Sequence, residues 1–273
     1  MCAAPATTTD RPHHGETLIM LPHPTLEKLS ALKLNGMRAA VEEQLGRTDL
    51  EAMPFLDRLA LLVEREAAVR ADRQLTARLR AAKLRYPEAC VEGINRHARR
   101  KLSGAVLEPL FTSRWVTDQR NVLITGPTGV GKSYLACALA QKACRDGYRA
   151  YYARLPRLLG ELTLARADGT YARRFAELAK AQVLVLDDFG LGALDDTDRR
   201  ELLELLEDRY RRRSTVIASQ LPIAQWYEVI GDATLADAIL DRVVHNSYRL
   251  EMQGESMRRS QDALEATTSE STP

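Results

Sequence analysis

One eight-residue stretch constrains this chain more than any other: Gly126-Pro127-Thr128-Gly129-Val130-Gly131-Lys132-Ser133. It matches the phosphate-binding pattern G-x-x-x-x-G-K-[ST] (the P-loop, or Walker A) without a departure. Gly126 and Gly131 permit backbone angles that a Cβ forbids, so the loop can curl with its N–H groups pointing inward at a phosphate. Lys132 brings a cation to β- and γ-phosphates, and the Ser133 hydroxyl suits Mg²⁺. From Ser133 through Tyr134 to about Arg145 the pattern is helical, which aims a positive dipole end at the anion. Asn121–Thr125 reads as a buried strand just before the loop, so strand, loop and helix follow in the order this motif requires.

From Asn121 onward strand and helix alternate. The expected strands are 121–125, 148–153, 182–187, 214–219 and 247–251. Helices are expected near 133–145, 155–180 with a break at Gly169, and 196–210, with 222–245 largely helical. Such alternation predicts an α/β fold, a parallel five-stranded sheet covered by helices on both faces. Upstream the pattern is all-helical. Leu26, Leu29, Leu32, Met37, Val41 and Leu45 predict one helix from Thr25, its cap, to Gly46, its stop. Phe55, Leu56, Leu59, Leu62, Val63 and Val69 give the apolar face of a second, from about Pro54 to Arg85. The expected division is a disordered tail (1–17), a small helical domain (18–105), the P-loop domain (106–261) and a disordered tail (262–273).

Val183-Leu184-Val185-Leu186 is a continuous apolar run, as a central parallel strand should be, and it ends in Asp187-Asp188. An acid there sits beside the phosphate loop. Asp187 can hold Mg²⁺ through water, and Asp188 can orient or deprotonate an attacking water. The next strand ends in Ser219-Gln220, and either side chain could reach a γ-phosphate or that water.

The net charge of +2 conceals an asymmetry: residues 65–101 hold eleven Lys/Arg against four acids. That suits an anionic partner. Arg70, Arg73, Arg78, Arg80 and Lys83 stud the later half of the second helix, either as a solvated amphipathic face or as a face for DNA phosphates. The run Arg209, Arg211, Arg212, Arg213 reads as a charged helix end. The four cysteines form no C-x-x-C pair and read as small apolar filler. No apolar run approaches the ~20 residues that span a bilayer, and no signal peptide is evident, so the expected location is the cytoplasm.

Several stretches carry a family resemblance: Asn121–Ser133, Val183–Gly190, Ala218–Pro222, Trp226–Asp232, Ala236–Arg242, Gly254–Arg259 and, upstream, Arg58–Ala67. Over about residues 22–260 the chain resembles the initiator and helicase-loader branch of the AAA+ ATPases. Within it the likeness is to IstB, the ATP-binding helper of an insertion-sequence transposase, a relative of DnaC. The resemblance implies ATP and Mg²⁺ as cofactors, and a homo-oligomer on duplex DNA that recruits or stimulates a cognate IstA-like transposase. It also implies an arginine finger in trans at Arg242, although periodicity alone reads that residue as an intrachain ion pair. A γ-phosphate sensor falls at Arg258, or at Arg259. Arg166, Arg173 and Arg174, in the insert after the second strand, become DNA contacts. Many AAA+ proteins have Asp-Glu where this chain has Asp187-Asp188; the shorter acid suits slow, switch-like hydrolysis. Nothing resembles a recombinase's own catalytic acids. The rival readings are a DnaC-like replicative helicase loader, a monomeric small-molecule P-loop kinase and an ATP-binding scaffold.

Overall fold

A computed structural model describes residues 23–50, 52–94, 104–254 and 256. The expected tails, Arg96 to Lys101, Arg258 and Arg259 lie outside the described residues. The chain forms two units, which meet in sequence at Asp72 and Arg73.

The first unit holds α1 (Pro24–Ala31), α2 (Asn35–Leu45), a 3-10 turn (Thr48–Leu50) and the start of α3 (Phe55–Ala82). The single helix expected from Thr25 to Gly46 is two helices. The chain breaks at Leu32–Leu34, where Lys33 takes a positive φ of 58°. The cap of α1 is His23, whose ring accepts from Thr25 N at 3.2 Å, rather than Thr25 itself. Gly36 permits a close approach, because a Cβ there would stand 2.8 Å from the Arg65 carbonyl oxygen. At that crossing the buried Glu66 carboxylate accepts from Gly36 N (2.8 Å) and Met37 N (3.1 Å), and so caps α2. The Arg70 guanidinium, 2.7 Å away, holds the Glu66 carboxyl below the usual carboxylate range. The expected apolar faces are largely uncovered: Leu32, Leu45, Phe55 and Leu56 are all at least 67% exposed. Three short helical pieces enclose too little volume to cover them.

The second unit adds α4 (Gly104–Phe111), α5 (Arg114–Thr117), β1 (Asn121–Thr125), α6 (Lys132–Arg145), β2 (Ala150–Arg154), α7 (Leu155–Ala167), α8 (Tyr171–Lys180), β3 (Val183–Phe189), α9 (Asp196–Arg209), β4 (Ser214–Ser219), α10 (Trp226–Ile230), α11 (Ala233–Val244) and β5 (Ser247–Glu251). The five strands pair in the order β2-β3-β4-β1-β5, all parallel. Side chains alternate across the sheet. Val122, Ile124, Val183, Val185 and Val216 pack toward α6, with Leu107, Leu110 and Trp115 in the same cluster. Leu123, Leu184, Leu186 and Ile217 pack toward α7, α8, α9 and α11. Both faces are buried, which explains the unbroken apolar runs.

Arg209 corrects an expectation. It is 1% exposed, and its guanidinium donates to the carbonyls of Leu178, Ala179, Ala181 and Ser214 and to the Thr215 hydroxyl. Burial pushes it down to about 9, yet each of its three nitrogens donates a hydrogen bond and it remains a cation at neutral pH. It ties the ends of α8 and α9 to the start of β4. Cys137 and Cys144 are buried free thiols on α6.

Candidate nucleotide site

β1 delivers the chain into the loop, and three glycines shape it. Gly126, Gly129 and Gly131 have φ of 144°, 88° and 96°. A Cβ on Gly126 would meet the Met252 carbonyl oxygen at 2.2 Å, and one on Gly129 would meet Ser256 Oγ at 2.3 Å. The loop is therefore seated against the segment that follows β5, and only glycine fits. Lys132 opens α6, is 8% exposed, and donates from Nζ to the Gly126 and Pro127 carbonyls at 2.8 Å each. Burial holds its ammonium below the ordinary lysine range, against the opposing pull of Asp187 and Asp188.

The two acids sit near the end of β3, at an irregularity where the register shifts between Leu186 and Phe189. Asp188 takes φ of 59°, a left-handed conformation that costs a non-glycine residue about 1 kcal/mol. Asp187 is 1% exposed; it accepts from the Tyr152 hydroxyl at 2.6 Å and from Asp188 N at 3.0 Å. Arg85 stands 3.9 Å from the same carboxylate. Burial and that carboxylate push the Tyr152 phenol far up, so it stays a donor. Asp188 is paired with Arg154 Nε at 2.6 Å.

These groups line one cavity of about 610 Å³, within the range of small-molecule and cofactor sites. Its lining mixes two kinds of residue. Thr128, Gly129, Gly131, Lys132, Ser133, Asp187, Asp188 and Arg154 bring loop backbone, charge and hydroxyls. Tyr86, Ile94 and Tyr134 bring apolar surface, with the Tyr86 and Tyr134 rings 6.1 Å apart and the Arg85 guanidinium 5.5 Å from the Tyr86 ring. Gly126, Pro127 and Val130 shape the loop without lining the cavity.

The strand-end alternatives separate. Ser219 is buried, donates to the Phe189 carbonyl at 2.7 Å and accepts from Leu221 N at 3.1 Å, away from the cavity. Gln220 lines the cavity and accepts from the Thr128 hydroxyl at 2.8 Å. Arg242 is remote. The Asn121 amide, at the opposite end of β1 from the loop, donates to the Arg242 carbonyl, and the guanidinium pairs with Glu207. Arg166 pairs with Glu201 (2.6 Å), and Arg174 with Glu161 (2.8 Å) and Glu177 (3.1 Å). Arg73, Arg80 and Arg173 are exposed, with no hydrogen bond or ion pair among the described residues. Arg78 donates to the Cys144 carbonyl (2.9 Å), and Lys83 lies over the Tyr151 ring.

Sequence reasoning missed Arg85, Tyr86, Ile94 and Arg154. Pro87, just past the second expected helix, was the available signal for the first three: it turns the chain back toward the loop.

Residues 27–265 match a family model described as IstB-like ATP binding protein. The chain belongs to the IstB-like ATP-binding protein family. An insertion-sequence ATP-binding protein of Sinorhizobium fredii is 50% identical over 89% of this chain and 98% of its own length. Another, of Mycobacterium tuberculosis, is 33% identical over 84% of this chain and 92% of its own. The fold resembles the DnaC helicase loader (TM-score 0.51, 22% identity, 62% of this chain and 99% of that one). It also resembles the initiator DnaA bound to AMPPCP and single-stranded DNA (TM-score 0.52, 18% identity, 66% and 55%). The fold is thus that of an AAA+ P-loop domain, with a helical region before it. Among the described residues no helix is long and apolar enough to cross a membrane.

Donor chemistry fits a magnesium nucleotide. Glycine-shaped backbone, a buried ammonium and a hydroxyl line the same cavity. Asp187 uses two hydrogen bonds and keeps lone pairs for a metal-bound water. No group of three or more His, Cys, Asp or Glu gathers among the described residues, so an ion here needs phosphate oxygens and water to complete its shell.

Proposed function

We propose that the chain is an ATP-dependent helper of transposition. It binds and hydrolyses ATP, assembles as a homo-oligomer on duplex DNA, and recruits or stimulates a separate transposase that carries the strand-transfer chemistry. The observation that carries this reading is the one cavity lined both by aromatic and aliphatic side chains (Tyr86, Ile94 and Tyr134), which suit a base, and by Lys132 and the loop, which suit phosphates.

Ser133 and Asp187 would hold Mg²⁺, whose charge would neutralise phosphate oxygens. Lys132 exchanges its two loop carbonyls for β- and γ-phosphate oxygens. Asp188 orients the attacking water, and Gln220, rather than Ser219, reaches toward the γ-phosphate. Arg242 leaves Glu207 and completes the cavity of a neighbouring subunit, where a cation offsets charge developing on the phosphoryl group. Arg258 or Arg259 senses the γ-phosphate in cis. The helical region 18–105 serves DNA and partner contact, residues 106–261 form the ATPase, 1–17 and 262–273 are tails, and the protein works in the cytoplasm.

The likeness of fold to a helicase loader keeps a second reading in play, with a hexameric helicase as partner. Pull-down of purified chain with ATP separates them. Capture of the transposase of the same insertion sequence supports transposition. Capture of the replicative helicase alone overturns it.

A further inference from the structure

A second cleft, of about 900 Å³, lies beside β2, at the edge of the sheet. Its floor is made of alanines: Ala77 and Ala81 from α3, Ala150 from β2, and Ala176 and Ala181 from α8 and its end. Its rim is cationic. Arg78, Lys83, Arg149, Arg173 and Lys180 line it against one acid, Glu177, which is already paired with Arg174. These cations come from stretches far apart in sequence, and the fold gathers them. Arg149 and Lys180 are exposed, and their side chains have no hydrogen bond or ion pair among the described residues. Arg78 is fixed by its bond to the Cys144 carbonyl, which keeps a guanidinium at the rim. A cluster of like charges with one compensated acid raises a positive potential and favours an anionic ligand.

The cleft also says which kind of anion. Single-strand grooves stack bases on free aromatic faces. Here the one ring, Tyr151, is engaged: Lys83 and Arg174 lie 5.4 and 5.3 Å from its centroid, and its hydroxyl bonds Arg174. An acidic protein segment would want deep apolar pockets for anchor side chains, and an alanine floor offers none. What is left is charge and shape without base or side-chain recognition.

We propose that this cleft seats the phosphodiester backbone of duplex DNA, with Arg149 and Lys180 as direct contacts and Arg78, Lys83 and Arg173 completing the rim. The proposal rests on the DNA-binding part of the reading above and gives it a place. It adds two residues that sequence reasoning did not single out. It also removes Arg166 and Arg174, whose guanidinium groups are held by Glu201, Glu161 and Glu177.

The test measures binding of the full chain, with ATP, to a labelled 40-base-pair duplex across a salt series. Wild type is compared with Arg149→Ala/Lys180→Ala and with Arg211→Ala/Arg212→Ala, two exposed cations outside the cleft. Two lost phosphate contacts should weaken binding roughly 10- to 100-fold at 0.1 M salt and flatten the log–log salt slope by about 1.8. The loss should be equal on unrelated sequences, ATP binding should be unchanged, and Arg211→Ala/Arg212→Ala, which removes the same charge, should change affinity less than the cleft variant. A cleft variant that binds duplex like wild type overturns the cleft while leaving DNA binding intact. A cleft variant that loses the transposase but keeps DNA assigns the cleft to an acidic protein surface, and overturns the proposal. A wild-type chain with no duplex affinity overturns the DNA reading itself.

Discussion

Arg154, at the end of β2, holds Asp188, at the end of β3, through a 2.6 Å bond from Nε to the carboxylate. The pair is half-exposed on the arginine side. It ties down the one acid of the site whose backbone is strained, at φ 59°.

The restraint predicts a consequence. A carboxylate held by a guanidinium is less free to approach a water. A partly exposed pair contributes about 0.5–1 kcal/mol, or roughly 2- to 5-fold in rate. Arg154→Ala should therefore raise basal ATP turnover by that factor with nucleotide affinity nearly unchanged. A fall in turnover would mean that Arg154 contacts phosphate instead. Steady-state phosphate release and nucleotide titration measure both.

The loop should be as sensitive to its backbone as to its lysine. Lys132→Ala removes the buried cation and should weaken ATP binding by at least about 100-fold, roughly 3 kcal/mol of charge-assisted bonding. Gly126→Ala should also abolish binding, and unlike the lysine variant it should lower thermal stability without nucleotide, because its Cβ meets backbone at Met252. Equal melting temperatures for Gly126→Ala and wild type would contradict that packing.

Arg209 should behave as a structural residue. Replacing it with Met strands four carbonyls and a hydroxyl in the core. We expect a loss of about 3–5 kcal/mol in urea unfolding. Arg211→Ala, exposed on the following turn, should stay within about 0.5 kcal/mol.

These cases mark what a sequence can disclose. The five strands were legible because each is a short apolar run buried on both faces, and the loop was legible because each fixed position has its own steric or electrostatic task. Asp187 and Asp188 followed from their place after such a run. The register irregularity that turns Asp188 toward Arg154 was not legible, since no residue there is a glycine. Nor was Arg209, which sits among surface arginines and differs from them through partners on β4, five and six residues on, and at the end of α8, 28 to 31 residues back. α4 escaped because Pro109 interrupts its apolar pattern. In the first unit periodicity found helices but overstated burial, because amphipathic faces at Phe55 and Leu56 need a covering element that three short pieces do not supply.

Arg242 gives the sharpest test within the site. Its guanidinium is paired with Glu207, remote from the loop of its own chain. Arg242→Ala should leave ATP affinity unchanged and lower turnover at least 10-fold, as loss of a transition-state cation does. Mixing it with Asp188→Asn should restore part of the activity, because a wild-type arginine can then complete a wild-type acid next door. Additive loss without rescue would place Arg242 in an intrachain role only.

In the proposed function, ATP builds an assembly of this chain on duplex DNA. Electron microscopy of the full chain with duplex DNA tests it most directly, with ATP, without nucleotide, and with Lys132→Ala in place of wild type. Closed or spiral multi-subunit particles are expected on DNA with ATP alone, and none in the other two samples. Isolated monomers on DNA in the presence of ATP, or the same particles without it, would rule out ATP-driven assembly.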